Sequence, residues 1–184
     1  LKEITQIGTT NNHSVSLSGG EENVNYYFGI SRYDEKGILK GTDYDRTNIL
    51  SKNEYKLFNR LKLSQSINIS VVNNVPQPSS AFTAAYKQSP VMPVKYENGK
   101  WGMPFLDTST GEIGMIGDKF NNVPNPVAML GYNEDKNRNV TLFGTLGAEI
   151  EIYKDLKFNS NFGATFDYGM GYSYLGTKRL SPYL

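Results

Sequence analysis

Glu149 and Glu151, two positions apart in "GAEIEIY", are the first residues whose type and spacing could do chemistry. A carboxylate pair can serve as general acid and base, but only across a defined cleft. Along a strand, residues i and i+2 simply point the same way, so the pair reads as a solvated polar face. His13 is the only histidine, which leaves no second imidazole for zinc or a catalytic dyad; it reads as a strand-end residue. There is no cysteine, so a thiol nucleophile, a thiolate metal site and a disulfide framework are all excluded. Asp43, Asp45, Glu134 and Asp135 lack the spacing of a calcium loop and read as ordinary loop residues. The glycine-rich "GEIGMIG" (Gly111 to Gly117) lacks the Lys-Ser/Thr that completes a phosphate loop. No catalytic constellation, metal site or cofactor site follows from these residues. Binding chemistry is what remains. Tyr96 and Trp101 are candidate substrate-binding residues, because aromatic rings in a loop can stack on sugars or hold peptides. Packing of that loop against its own support is the competing explanation.

These residues sit in a chain of 184 residues, enough for one ordinary domain. Nineteen basic residues face eighteen acidic ones, and the basic residues are scattered, so nothing favours nucleic acid as a partner. Mean hydropathy is −0.48, and no apolar run approaches the roughly 20 residues that a membrane helix needs. Such a polar average is also what alternating barrel strands produce. The chain starts at Leu1 without a signal-peptide pattern, and the expectation is a processed or partial sequence.

Period-two alternation is the dominant pattern. "NHSVSLSGGEENVNYYFGISRYD" is apolar at every second residue on both sides of a Gly-Gly-Glu-Glu-Asn turn, the signature of an antiparallel hairpin. The expected fold is all-β, an antiparallel up-and-down meander of six long strands at about residues 12–20, 24–34, 46–58, 61–73, 139–153 and 156–172. The third strand alternates less cleanly, with Ser51 and Asn53 on the face of Ile49 and Tyr55, which points to a bulge. Connections run short, long, short, very long, short. The very long one, about residues 73–138, holds seven of the eight prolines and a possible helix from Ser80 to Lys87 capped by Ser79 or Ser80.

That alternation of tight turns with long loops is the habit of outer-membrane barrels. Thirteen residues at about 3.3 Å rise and roughly 40° tilt cross an apolar band of about 25 Å. The polar faces are mostly Ser, Asn, Thr and Gly, and aromatic residues gather near strand ends. Leu146, Ile150, Phe162 and Ala164 are therefore expected to face lipid, and Thr145, Glu149, Asn161 and Thr165 a lumen. Six strands cannot close such a barrel, so the expectation is a piece of a larger one. The alternative is a soluble all-β binding module whose Pro/Gly-rich loop is the recognition site.

His13 to Arg46, "HSVSLSGGEENVNYYFGISRYDEKGILKGTDYDR", resembles the start of the barrel in SusC/RagA-like TonB-linked outer-membrane transporters. "SPVMPV" (Ser89 to Val94) followed by Asn98-Gly99, and "NPVAML" (Asn125 to Leu130), resemble loop motifs of that family. "KDLKFNSNFG" (Lys154 to Gly163) resembles a later periplasmic turn and rising strand. The resemblance implies a 22-stranded barrel with an N-terminal plug in the outer membrane of a Bacteroides-type Gram-negative bacterium. It also implies uptake of an oligosaccharide or peptide, energy from TonB, and a SusD-like surface lipoprotein as lid. These residues contain neither the plug nor a TonB box, and the strand after Arg46 departs from the family's arginine-leucine-asparagine alternation. By this reading the segment's partners are outer-membrane lipid, the remaining barrel and the plug.

Overall fold

The computed structural model describes residues 1–58, 60–97, 99, 101–102, 123–154 and 156–174. Six strands, β1 (Thr9–Glu21), β2 (Val24–Lys36), β3 (Asp43–Leu57), β4 (Leu61–Val75), β5 (Lys136–Tyr153) and β6 (Leu156–Tyr172), form one sheet in the order β1-β2-β3-β4-β5-β6. Every neighbouring pair is antiparallel. The fold is thus the all-β meander that the alternation implies.

Paired residues in an antiparallel ladder point to the same side of the sheet, so the register shows whether the six strands agree on their faces. They do. Val15, Ile30, Ile49, Ile69, Leu142 and Phe166 lie in one unbroken cross-sheet row. One residue along, Ser14, Ser31, Asn48, Ser70, Thr141 and Asp167 form the matching row on the opposite face. A one-residue slip anywhere would mix these faces.

The strands are longer than the pattern alone implied. β1 begins at Thr9, β2 extends to Lys36 and β3 starts at Asp43, because polar residues continue the ladder past the last apolar positions. No bulge interrupts β3, whose pairs with β2 and β4 run one to one. Ser51 and Asn53 stand on its apolar face because a partner satisfies them: Asn53 Nδ2 donates to Gln65 Oε1 at 2.9 Å. The register shift lies instead in β5, where Ile152 is the extra residue between the pairs Glu151–Lys157 and Tyr153–Leu156. Phe58 belongs to the β3–β4 turn rather than to β3 and takes a left-handed φ of 54°. Its neighbour Asn59 lies outside the described residues.

The turns also set the tilt. Glu21 and Val24 close the first hairpin, level in register with Tyr55 and Leu63, while β3 and β4 continue two residues further to Leu57–Leu61. Leu61 is level with Ile150, and β5–β6 continue beyond it to Tyr153–Leu156. From the first turn to the third, the stagger is roughly 15 Å over four inter-strand steps of about 4.8 Å. Turns at one level therefore require strands inclined by about 40°, within the range of barrel strands.

Among the described residues the buried apolar side chains are Ile4, Leu39, Ala81, Ala84 and Ala128, and none belongs to a strand. Among the described residues the sheet is one layer. Large side chains such as Val15 and Phe162 are 72% and 67% exposed on its apolar face. Packing occurs at the end of the sheet opposite the tight turns. There Thr5 bridges Leu39, and Lys40 Nζ donates to the Glu3 carbonyl at 2.8 Å, so the segment before β1 seals the β2–β3 connection.

Candidate functional site

The β4–β5 connection carries Tyr96 and Trp101, and it builds a small core of its own. Helix α1 (Ser80–Lys87) starts after Ser79, whose side chain makes no capping bond, and buries Ala81 and Ala84. It packs on a second helix, α2 (Pro126–Gly131), through Ala128. The sequence pattern left α2 undetected, although Asn125-Pro126 is a cap followed by proline at the first helical turn.

Asn125 organises this region. Its Oδ1 accepts from the backbone N–H groups of Val127 and Ala128 at 3.0 and 3.2 Å, capping α2. Its Nδ2 donates to the carbonyls of Val94 and Gly102, both at 3.0 Å, which joins the helix to the segment bearing Tyr96 and Trp101. With 2% exposure Asn125 is a buried polar group, and these four bonds satisfy it. Gly102 is required beside it, because a Cβ there would collide with the Pro93 carbonyl.

Trp101 is engaged on three sides. Lys95 and Trp101 form an isolated antiparallel bridge, and Lys95 Nζ lies 4.4 Å from the centroid of the indole. Tyr132 meets the ring edge-on with centroids 6.0 Å apart, and the indole N–H donates to the Tyr132 hydroxyl. Tyr96 is half-buried, and its hydroxyl lies 3.7 Å from Met92 Sδ. Both residues therefore contribute to the packing of the connection itself. A ligand stacking on Trp101 would share the ring with Lys95 or displace it. Lys95 and Tyr132 are partners that alternation could not reveal, because they come together only when the connection folds.

Two further bonds tether the connection to the sheet. Asn133 Nδ2 donates to the Pro76 carbonyl at 2.6 Å, holding the two ends of the connection together. Gln77 Nε2 donates to the Gly41 carbonyl at 3.1 Å, linking its start to the β2–β3 loop.

The remaining residues with chemical side chains are ion-paired or spread along the strands. Asp34, Asp43 and Asp45 border a shallow open pocket with Glu35 and Tyr44, and no group of carboxylates among the described residues could hold a metal ion. Glu149 accepts from Lys157 Nζ at 2.8 Å, and Glu54 faces Lys62 Nζ at 3.2 Å, which makes an ion-paired belt on the polar face near the tight turns. Glu151 sits opposite Lys157 on the same face. His13 lies opposite Arg32, whose guanidinium reaches Asp34 at 2.6 Å and Asp45 at 3.1 Å. Asp43 is the first residue of β3, and Glu134 and Asp135 lead into β5. Asn98 and Gly111 to Gly117 lie outside the described residues.

No protein-family model matches the chain. In sequence it is similar to the TonB-dependent receptor P26 of Formosa agariphila, 22% identical over 156 residues, which is 85% of this chain and 14% of that protein. In fold it is similar to a chain in the structure of the RagAB peptide importer in the "closed-closed" state, with a TM-score of 0.66 and 14% identity. That alignment covers 98% of this chain and 20% of the other. The chain matches a segment of a SusC/RagA-like TonB-dependent transporter. It spans a seventh to a fifth of the length of these relatives. A receptor and an importer are the company it keeps, and neither is named as an enzyme. In this chain the self-packed connection occupies the end of the strands away from the tight turns.

Proposed function

We propose that this chain forms part of the wall and the extracellular loops of a TonB-dependent nutrient importer in the outer membrane. The observation that carries the reading is the apolar row from Val15 to Phe166, shared by all six strands and exposed at Val15, Ile30, Leu142 and Phe166, with no second layer over it among the described residues. Apolar area on this scale needs an apolar neighbour, since burial is worth about 25 cal/mol per Å². A soluble module would supply a second layer of its own chain over that face. Lipid supplies it without one. On this reading Leu146, Ile150, Phe162 and Ala164 touch lipid, and Thr145, Glu149, Asn161 and Thr165 line the lumen. Among the described residues β1 and β6 each pair on one side only, so their open edges belong against further strands of a larger barrel, which closes around a plug.

The cargo class is an oligosaccharide or a peptide, energised through TonB and enclosed by a SusD-like surface lipoprotein. A peptide importer is among the structural relatives, which favours a peptide. Tyr96 and Trp101 belong to the extracellular connection, where a ring freed from its present partners can meet that cargo.

Direction is tested by labelling. Tight turns face the periplasm in outer-membrane barrels and long loops face outward. A cysteine replacing Glu97, which is exposed in the long connection, should react with an impermeant thiol reagent on whole cells. One replacing Asn23, in the first tight turn, should react only after the outer membrane is opened. The reverse pattern overturns the topology, and equal reaction at both sites overturns the wall.

A further inference from the structure

The apolar face does not end in the same way along the sheet. On β1–β3 the first charged residues beyond it neutralise one another, with Arg32 held by Asp34 and Asp45, and Asn73 Nδ2 of β4 donating to Asp45. On β5 the pattern differs. Beyond Val140 the same face carries Arg138 and then Lys136, both exposed. Neither takes part in any ion pair among the described residues, nor do Glu134 and Asp135 just before them. Arg138 is flanked by Asn73 of β4 and Met170 of β6, and Lys136 lies opposite Tyr172. Tyr168, opposite Val140, completes the surroundings. Two cations and two tyrosines thus share this corner, with no carboxylate directly paired to either cation across the strands.

Their height is informative. From Ile150 and Phe158 to Val140 and Tyr168 the face of β5–β6 is predominantly apolar over ten residues of strand, roughly 25 Å along the membrane normal at about 40° tilt. Arg138 and Lys136 then stand about 5 and 10 Å above that band, the depth of lipid headgroups. Tyrosine and basic side chains at that depth are the ordinary means of holding an anionic headgroup.

We infer that Lys136 and Arg138, with Tyr168 and Tyr172, form an outward-facing site for the phosphate of an anionic lipid in the outer leaflet. The inference rests on the wall reading above. Its occupant is a membrane lipid rather than a soluble anion, because the cations crown a lipid-facing band and point away from the lumen.

The test uses the full-length transporter carrying this segment, purified in detergent and titrated with phosphorylated lipid A by native mass spectrometry. Each surface charge contributes about 1 kcal/mol, so Lys136→Gln combined with Arg138→Gln should weaken binding roughly thirty-fold. Lys136→Arg with Arg138→Lys should bind as the unaltered protein does, which separates charge from misfolding. Dephosphorylated lipid A should bind weakly and alike to all three proteins, and inorganic phosphate should not compete. A change below threefold in the double Gln variant overturns the site. Equal binding of the dephosphorylated lipid, or competition by inorganic phosphate alone, overturns the proposed headgroup. A photoreactive side chain at Leu146 supplies the separate control. Cross-linking there to lipid tails with unchanged titrations defeats only the headgroup site, whereas no cross-linking to lipid defeats the wall reading itself.

Discussion

Ala81 and Ala84, among the smallest apolar side chains, are sealed between α1 and α2, while Leu146 and Phe162 stand 58% and 67% exposed on neighbouring strands. The β4–β5 connection satisfies its own groups: Asn125 makes four hydrogen bonds and Trp101 meets Lys95 and Tyr132. The sheet satisfies its backbone and several polar pairs, such as Asn53–Gln65 and Arg32–Asp45, but not its large apolar side chains. Its strands are joined by antiparallel ladders, yet among the described residues nothing covers large apolar side chains such as Val15, Leu146 and Phe162. The contrast separates two sources of stability within one chain. Substitutions in the connection act through contacts the chain makes with itself, whereas substitutions on the strands act through what surrounds the sheet.

The largest expected effect probes the surroundings. In the barrel proposed above, Leu146→Arg should destabilise by about 2–4 kcal/mol near the midplane, and Thr145→Arg, one residue away on the polar face, by far less. Reversible unfolding from lipid vesicles measures both. Equal costs would remove the distinction between the faces. Next comes Asn125→Ala, which deletes the α2 cap and strands the carbonyls of Val94 and Gly102. A local loss of about 2 kcal/mol is expected, read as faster hydrogen exchange at the Val127 and Ala128 amides. Sheet amides should be unaffected, and a matching change there would mean that the two regions fold as one unit.

Trp101→Phe keeps a ring beneath Lys95 but removes the indole N–H bond to Tyr132, a loss of about 1 kcal/mol. Protease nicking of the connection should rise modestly. If cargo also stacks on this ring, transport should survive Trp101→Phe and fall with Trp101→Ala. The smallest effect belongs to the belt near the tight turns. Lys157 and its partner Glu149 are solvent-exposed, and a pair of that kind contributes little. Lys157→Gln should leave the thermal midpoint within experimental scatter, at low and high salt alike. A clear shift would show that the belt is packed against another part of the barrel.

Alternation is a local property, and it was sufficient for the faces. Each strand states its own period of two, so Val140, Leu142 and Leu146 could be assigned to one side without knowing their neighbours. The turn before β2, which the structure narrows to Glu22 and Asn23, and the helix from Ser80 to Lys87 were legible for the same reason, because a Gly-rich break and a short Ala-containing run act over a few residues. Less of the candidate site was legible. Tyr96 and Trp101 were visible as aromatic residues in a loop, but their partners Met92, Lys95 and Tyr132 were not, since hydrogen bonds and ring contacts leave no period in the sequence.

By itself, then, the sequence determined an all-β meander with one apolar and one polar face, along with the alternation of tight and long connections. These follow from residue-by-residue chemistry and need no long-range information. The tertiary structure decided what depends on distant pairing. β4 meets β5 across a connection of some sixty residues, and only that register aligns Ile69 with Leu142 to complete the apolar row. β3 kept a one-to-one register because Asn53 found Gln65 on the adjacent strand and could remain on the apolar face, and the register shift lies instead at Ile152 in β5. Asn125 became a clamp for the same physical reason. A buried amide must satisfy both its donors and its acceptor, and the carbonyls that do so, Val94 and Gly102, are 31 and 23 residues away along the chain.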